Sequence, residues 1–230
     1  MNPVQSSDYG FAAQLRGFGP PGILFILLIV FSGNIMLSNM IVLPIGAALV
    51  FLWIQLSHTR WCEIGYTKPK NWLTTVCVGL LFGIVFKFVM KAIIMPLFGA
   101  DPINASYHFL AGNQPLLPAA IWAMIAAGFG EETVFRGYMF ERLGKLFGSA
   151  IGAKTLIILI TSVWFGFAHY HDQGLTGVEQ GTITGLVFGI IYLNSGSIWL
   201  VMIVHAAFDL TALAMIYWNF EATVAHFIFK

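Results

Sequence analysis

The chain has 230 residues, of which 58% are apolar and only 9% are charged, and its formal net charge is +1. Soluble domains average about 25% charged residues, so this composition indicates an integral membrane protein embedded in the lipid bilayer. The same values exclude a disordered chain and a nucleic-acid-binding protein, because apolar residues are abundant and there is no basic excess.

Apolar segments follow one another along most of the chain. They cover residues 22–36, 40–57, 72–98, 115–140, 155–170, 177–194 and 197–219. Each is close to or above the roughly 17 to 25 residues that a spanning helix needs. Because some segments are short or interrupted by glycine, the sequence predicts an all-α, polytopic transmembrane helical bundle of about seven spanning helices, within a range of six to eight. No repeat or linker divides the chain, so residues 1–230 are predicted to form a single integral membrane domain.

Basic residues are concentrated in two of the connections between these segments, residues 58–71 and 141–154. The connection 99–114 contains an aspartate but no Lys or Arg. Since cytoplasmic connections carry the excess of Lys and Arg, the two basic connections are predicted to be cytoplasmic, with the N-terminus inside and the C-terminus outside.

Ionisable side chains inside the apolar segments are the candidate functional residues, because each costs about 2.5 to 3.5 kcal/mol to insert and needs a partner or a purpose. The fourth segment contains Glu131, Glu132 and Arg136. Glu132 and Arg136 are four residues apart, so they share a helix face and can form an ion pair. Glu131 is rotated from Glu132 by about 100° and is predicted to be an unpaired carboxylate. The alternative is that all three charges only hold helices together.

Two later segments carry imidazoles. His169 follows Phe165 by four residues, and His205 precedes Asp209 by four residues. A carboxylate one turn from an imidazole can fix its tautomer or share a site with it. For each group the alternative is a buried, hydrogen-bonded structural role. Lys87, one turn before another lysine, is predicted to have a structural role or to offset the carboxylates.

An antiparallel hairpin of the fourth and fifth segments, centred near residue 150, would place Glu131 and His169 at equal depth. Helices pack about 8 to 10 Å apart, so the two side chains can share one water molecule and activate it for attack on a peptide carbonyl. His205 and Asp209 would then face the oxyanion. Alternatively, Glu131, His169 and His205 could hold Zn²⁺ with an open position for water, although the chain has no His-Glu-x-x-His helix.

In this order, the motifs Glu131-Glu132-x-x-x-Arg136, Phe165-x-x-x-His169 and His205-x-x-x-Asp209 resemble the three signatures of the CPBP family. This family groups type II CAAX prenyl endopeptidases with bacteriocin-processing and immunity proteins, the Abi group. The resemblance covers about residues 115–215 and implies that this range is the catalytic core of an intramembrane endopeptidase.

The resemblance also implies roles for individual residues. Glu131 and His169 would activate water, and His205 and Asp209 would stabilise the oxyanion. Glu132 and Arg136 would support substrate access and the shape of the site. The last position is commonly Asn in the family, so Asp209 would donate a hydrogen bond only when protonated.

Family members are often named metalloproteases, yet similar members are described as metal-independent glutamate proteases. The sequence favours no metal, with Zn²⁺ on Glu131, His169 and His205 as the alternative. The implied substrate is a peptide or a membrane-anchored protein, and the implied location is a bacterial plasma membrane. A cavity reached from the cytoplasm is also implied, whereas the charge distribution places Glu131 about 25 Å from the nearer basic connection, towards the outer side.

Two other classes of protein stay open. Buried Glu, His, Asp and Lys side chains also form the proton relays of transporters, although no inverted repeat is visible in this sequence. The third possibility is a non-catalytic immunity or scaffold protein that keeps the motifs for structural reasons.

Overall fold

The computed structural model describes residues 3–32 and 39–229, with side chains described from residue 10 onward except for residues 39–44. Every regular element in these ranges is helical, which confirms the predicted all-α class. The helices are α1 (Pro3–Arg16), α2 (Pro20–Phe31), α3 (Asn39–Ser57), α4 (Trp72–Val89), α5 (Met95–Leu97), α6 (Leu117–Glu132), α7 (Phe140–Phe147), α8 (Ile151–Ala168), α9 (Tyr170–Ser195), α10 (Ile198–Tyr217) and α11 (Glu221–Ala225). A π-helical turn joins α4 to α5 at Met90–Ile94, and another joins α6 to α7 at Thr133–Met139.

Three helical stretches in the described ranges are long and apolar enough to cross a membrane. They are Trp72–Leu97, Ile151–Ala168 and Ile198–Tyr217. Gly10–Arg16 and Pro20–Phe31, which meet at an angle of 47°, add a fourth if they form one bent span. A polytopic membrane fold is therefore confirmed, but the predicted number of about seven is not. Residues 33–36, the end of the first predicted segment, lie outside the described residues.

Close approach of helices through small residues determines how the core is assembled. A Cβ atom on Gly166 of α8 would lie 2.6 Å from the carbonyl oxygen of Val178 on α9, so only glycine fits there. On the other side, a Cβ atom on Gly128 of α6 would lie 2.8 Å from the backbone nitrogen of Ala206. Small residues at helix contacts are typical of membrane bundles, where close van der Waals contact drives association. As a result, α10 lies in the interior against α4, α6 and α9.

The two basic connections meet at one end of the molecule, here called the basic end. Arg142 donates a hydrogen bond to the carbonyl of Arg16 at 2.8 Å, and Arg16 forms an ion pair with Glu63 at 3.1 Å. The backbone N–H of Ile198 donates to the carbonyl of Gly65 at 3.0 Å. Helix α10 therefore begins at the basic end.

Residues 98–116 cover the opposite end, here called the loop end. The N–H of Gly112 donates to the carbonyl of Tyr217, the last residue of α10, at 3.0 Å. Helix α10 thus runs from the basic end to the loop end, and the residues in its second half lie nearer the loop end. This direction fixes where the polar side chains of α10 stand along the membrane normal.

Candidate active site

A buried ionic network lies where α6 passes into its π-helical turn. The side chains of Glu132 and Arg136 are both 0% exposed, and Arg136 Nη1 donates to Glu132 Oε1 at 2.8 Å. Arg136 Nη2 also donates to the carbonyl of Gly185 on α9 at 3.0 Å. The same Glu132 oxygen accepts a hydrogen bond from Nδ1 of His205, at 2.8 Å. Glu132 therefore connects α6, α9 and α10 and fixes the orientation of the His205 ring.

His205 Nε2 is directed away from this network, towards two further carboxylates. It lies 3.4 Å from Asp209 Oδ2 and 3.7 Å from Glu131 Oε2. The Glu131 side chain is buried, and its Oε2 atom has no hydrogen-bond partner among the described residues. Burial of a carboxylate oxygen without a hydrogen bond is costly. Glu132 Oε2 likewise has no hydrogen-bond partner in the described part of the chain, but Oε1 of Glu132 accepts from both Arg136 and His205. Glu131 is thus the less compensated acid of the adjacent pair.

His169 stands at the end of α8, immediately before α9. Its Nδ1–H donates to the carbonyl of Phe165 at 2.7 Å, which leaves Nε2 as the unprotonated nitrogen of the neutral ring. The ring also packs edge-on against Phe165, with the centroids 4.7 Å apart. Opposite the ring, a Cβ atom on Gly181 would lie 3.2 Å from His169 Nδ1, so this glycine of α9 leaves the space that the imidazole needs.

A cavity of about 320 Å³ joins these groups. Glu131, His169, His205, Asp209 and Phe165 all line it. The three sequence motifs are far apart along the chain. The structure therefore brings side chains from all three together around one cavity. The two other predicted residues, Glu132 and Arg136, lie behind the wall, where they hold the site rather than face the cavity.

Aromatic rings separate the ionic network from the rest of the core. The guanidinium of Arg136 lies 4.7 Å from the centroid of the Phe165 ring and 5.5 Å from that of Phe188. Phe188 also contacts the ring of His205, with the centroids 4.9 Å apart. These cation–π and ring contacts exclude water from the guanidinium. Sequence reasoning gave no role to Phe188, because an aromatic residue in an apolar helix carries no distinguishing signal.

Several other polar residues of the cavity wall were missed from sequence. Tyr107 comes from the connection 98–116, and burial, together with nearby carboxylates such as Asp172, raises the pKa of its phenol. Tyr107 is therefore a neutral hydrogen-bond donor over the physiological range. Gln173, Gln180 and Thr184 line the wall from α9. Gln180 and Thr184 are four residues apart and share a helix face, a polar pair that the sequence did contain as a signal. Gln173 precedes Gly174, where the backbone of α9 is not helical.

Lysine side chains in α4 and its π-helical turn have different surroundings. Lys91 Nζ forms an ion pair with Glu221 Oε1 at 3.1 Å, as a structural role predicts. Lys87 lines the cavity and donates a hydrogen bond to Gln180 Oε1 at 3.1 Å. Lys87 thus belongs to the cavity wall as well as to the helix interface.

A zinc site is not formed by the side chains that were considered for it. Within residues 3–32 and 39–229, no three His, Cys, Asp or Glu side chains are grouped so that they could hold a metal ion. Glu131 Oε2 lies 3.7 Å from His205 Nε2, but no ion pair within 4.0 Å links Glu131 to His169 among the described residues. The set Glu131, His169 and His205 therefore does not fit a zinc ion in this geometry.

A carboxylate and two imidazoles on the wall of one cavity, inside a polytopic helical membrane protein, define a candidate intramembrane hydrolase. Residues 113–211 match the family model described as type II CAAX prenyl endopeptidase, Rce1-like. This range contains all three sequence motifs, and the match supports the CPBP family membership that the motifs predicted. The matched family indicates a protease. Neither the curated proteins nor the solved structures include a match to this chain.

Proposed function

We propose that this protein is a glutamate-dependent intramembrane endopeptidase in which Glu131 and His169 activate a water molecule. The observation that carries the proposal is that the buried Glu131 Oε2 atom lacks a hydrogen bond among the described residues and that the Glu131 side chain lines a cavity together with His169 and His205. No ion pair joins Glu131 to His169, so a water molecule between them would find an acceptor on each side. Such a water is positioned to lose a proton to either group.

The first chemical step is addition of this water to the peptide carbonyl. Glu131 or Nε2 of His169 takes the proton, the oxygen forms the new bond to carbon, and negative charge develops on the carbonyl oxygen. His205 stabilises that oxyanion through Nε2–H, which requires the doubly protonated ring, because Nδ1–H already donates to Glu132. Asp209, 3.4 Å from His205 Nε2, orients the ring and balances its charge.

Collapse of the tetrahedral intermediate completes the reaction. The carbon–nitrogen bond breaks, and the proton held by Glu131 or His169 passes to the leaving amine. Glu132 and Arg136 take no proton in this scheme. Their role is positional, because the shared Glu132 oxygen fixes the imidazole that faces the oxyanion.

The proposed substrate is a peptide or a membrane-anchored protein whose chain enters the cavity. Apolar side chains such as Trp122 and Leu213 form much of the wall, so an apolar peptide segment would be bound by burial of its side chains. A requirement for a prenyl group is tested by comparing one peptide sequence with and without an S-farnesyl group on its cysteine.

The proposed topology combines the charge distribution with the direction of α10. We propose about seven crossings of a bacterial plasma membrane by residues 1–230, with a cytoplasmic N-terminus and with residues 115–215 as the catalytic core. Asn104, Tyr107 and Leu110 line the cavity from the connection at the loop end. Because the basic end is expected to be cytoplasmic, this arrangement favours substrate access from the outer side of the membrane.

The test is cleavage of farnesylated and unmodified peptides by the purified protein in lipid nanodiscs, followed by mass spectrometry. Glu131→Gln should abolish cleavage while substrate binding persists. Glu179→Gln is the matched control, because Glu179 lies in α9, does not line the cavity and forms no ion pair among the described residues. Chelator treatment should leave turnover unchanged. If the protein is a carrier, the wild type cleaves no peptide and Glu131→Gln lowers substrate transport. If it is a scaffold protein, Glu131→Gln has no effect.

A further inference from the structure

Lys87 is a buried amine in the active-site wall that has no acidic partner. It is 7% exposed, and its only hydrogen bond among the described residues goes to Gln180. None of the ion pairs in the described ranges includes it. An ammonium group has three N–H donors, so two of them are without an acceptor on the protein. Buried charges are normally paired, and this one is not.

The surroundings of Lys87 hold its ammonium group in place without neutralising it. Nζ lies 4.5 Å from the centroid of the Phe208 ring, on the turn of α10 that carries His205 and Asp209. Asp209 shares the cavity wall, but its carboxylate is directed to His205 at 3.4 Å and forms no ion pair with Lys87. Lys91, the other cation of this helix face, is already paired with Glu221. Lys87 is therefore a lysine of this cavity wall whose remaining N–H donors are left for a ligand.

The position of Lys87 relates this free cation to the reacting groups. It lines the same 320 Å³ cavity as Glu131 and also a second cavity of about 170 Å³, which Gln173 and Asn104 share with the first. Side-chain amides at this junction add N–H donors beside the ammonium. Charge-assisted hydrogen bonds from such donors favour a carboxylate, which accepts several of them at once.

We propose that Lys87, with the amides beside it, is a subsite that binds a carboxylate of the peptide substrate. The proposal rests on the function proposed above, because it places this carboxylate in the same cavity as the peptide bond that is cleaved. A peptide has two sources of such a group: its C-terminus and an acidic side chain close to the cleavage site. Binding at Lys87 would fix the register of the chain relative to Glu131 and so select where cleavage occurs.

The experiment uses four farnesylated peptides that differ only at the C-terminal end. They end in Cys-Val-Ile-Gln or Cys-Val-Ile-Glu, each as a free acid and as an amide, and kcat/KM is measured for each in nanodiscs. A charge-assisted hydrogen bond contributes about 1.5 to 3 kcal/mol, so the wild type should prefer a carboxylate-bearing peptide by about 10- to 100-fold. A preference for acid over amide assigns the C-terminus, and a preference for Glu over Gln within the amides assigns the side chain.

Lys87→Gln should remove this preference, because kcat/KM for the carboxylate-bearing peptides should fall about 10- to 100-fold more than kcat/KM for the peptide without a carboxylate. Lys87→Arg keeps the charge and should retain the preference, which provides a second variant should the glutamine variant fold poorly. Equal cleavage of all four peptides by the wild type would overturn the subsite. A Lys87→Gln variant that loses the same factor for every peptide would overturn it too, since that pattern indicates a structural lysine.

A binding measurement separates this inference from the proposed function. Affinities of the same peptides are determined for wild type and for Lys87→Gln, without reference to cleavage. If carboxylate-dependent binding requires Lys87 but no peptide is ever cleaved, the subsite stands and the protease mechanism fails. If cleavage depends on Glu131 but neither binding nor kcat/KM depends on a carboxylate, the mechanism stands and the subsite fails.

Discussion

Replacing each of the two adjacent glutamates by glutamine should have opposite effects on stability. Glu132 compensates Arg136 at 2.8 Å, and both side chains are 0% exposed. Glu132→Gln keeps the shape of the side chain but leaves a buried guanidinium without its counter-ion, a loss that destabilises proteins by about 3 to 5 kcal/mol. Glu131 has no guanidinium or ammonium partner among the described residues, and His205 Nε2, at 3.7 Å, lies beyond hydrogen-bond distance of its Oε2 atom. Removing its charge should leave the free energy of unfolding unchanged or raise it.

The two variants should also differ in activity. Glu131→Gln removes the proposed base and should abolish turnover in a folded protein. Glu132→Gln removes the carboxylate that holds His205 Nδ1, and loss of one positioned oxyanion donor lowers kcat by about 100- to 1000-fold. Unfolding in detergent and peptide cleavage in nanodiscs measure the two effects separately. Equal destabilisation by the two substitutions, or a Glu132→Gln variant as stable as wild type, would refute the assignment of the compensated and uncompensated acids.

Three further predictions follow from the geometry. Gly128→Ala should destabilise the protein by about 1 to 3 kcal/mol, because the added Cβ atom would lie 2.8 Å from a backbone nitrogen of α10. The control is Gly144→Ala, which has open space around it and should be neutral or stabilising. Thermal unfolding measures both effects. Asp209→Asn should keep measurable turnover, since an amide can still hydrogen-bond the imidazole, while Asp209→Leu should lose about 100-fold or more in kcat; equal activities would contradict this role. In intact cells, a membrane-impermeant maleimide should label Ala105→Cys at the loop end but not the exposed native Cys62 near the basic end. Labelling of Cys62 without labelling of Ala105→Cys would place the cavity on the cytoplasmic side.

The sequence on its own determined the class of protein and the residues worth examining. Low charge and repeated apolar segments required a helical membrane protein, because backbone groups in lipid must be hydrogen-bonded within each segment. The pair Glu132 and Arg136 was predictable for a local reason: residues four apart on a helix are neighbours whatever the rest of the fold does. The ordered motifs likewise indicated the family without any tertiary information.

The number of spanning helices was not determined in this way. Hydrophobic length alone suggested about seven, but the described helices that meet the requirement are three, or four with the bent pair. Helices α6 and α9 carry polar residues that line the cavity, such as Glu131 and Gln180, and this lowers their mean hydropathy. An apolar run therefore indicates burial in general and does not separate burial in lipid from burial in protein.

Only the tertiary structure decided how the candidate residues are paired. Glycines such as Gly128 and Gly166 let helices approach closely enough for side chains distant in sequence to meet, and no local pattern specifies which helices those are. The same assembly gave Lys91 an acidic partner and left Lys87, one turn earlier, without one. Helical periodicity fixes which residues share a face, whereas the partner across that face is a property of the whole fold.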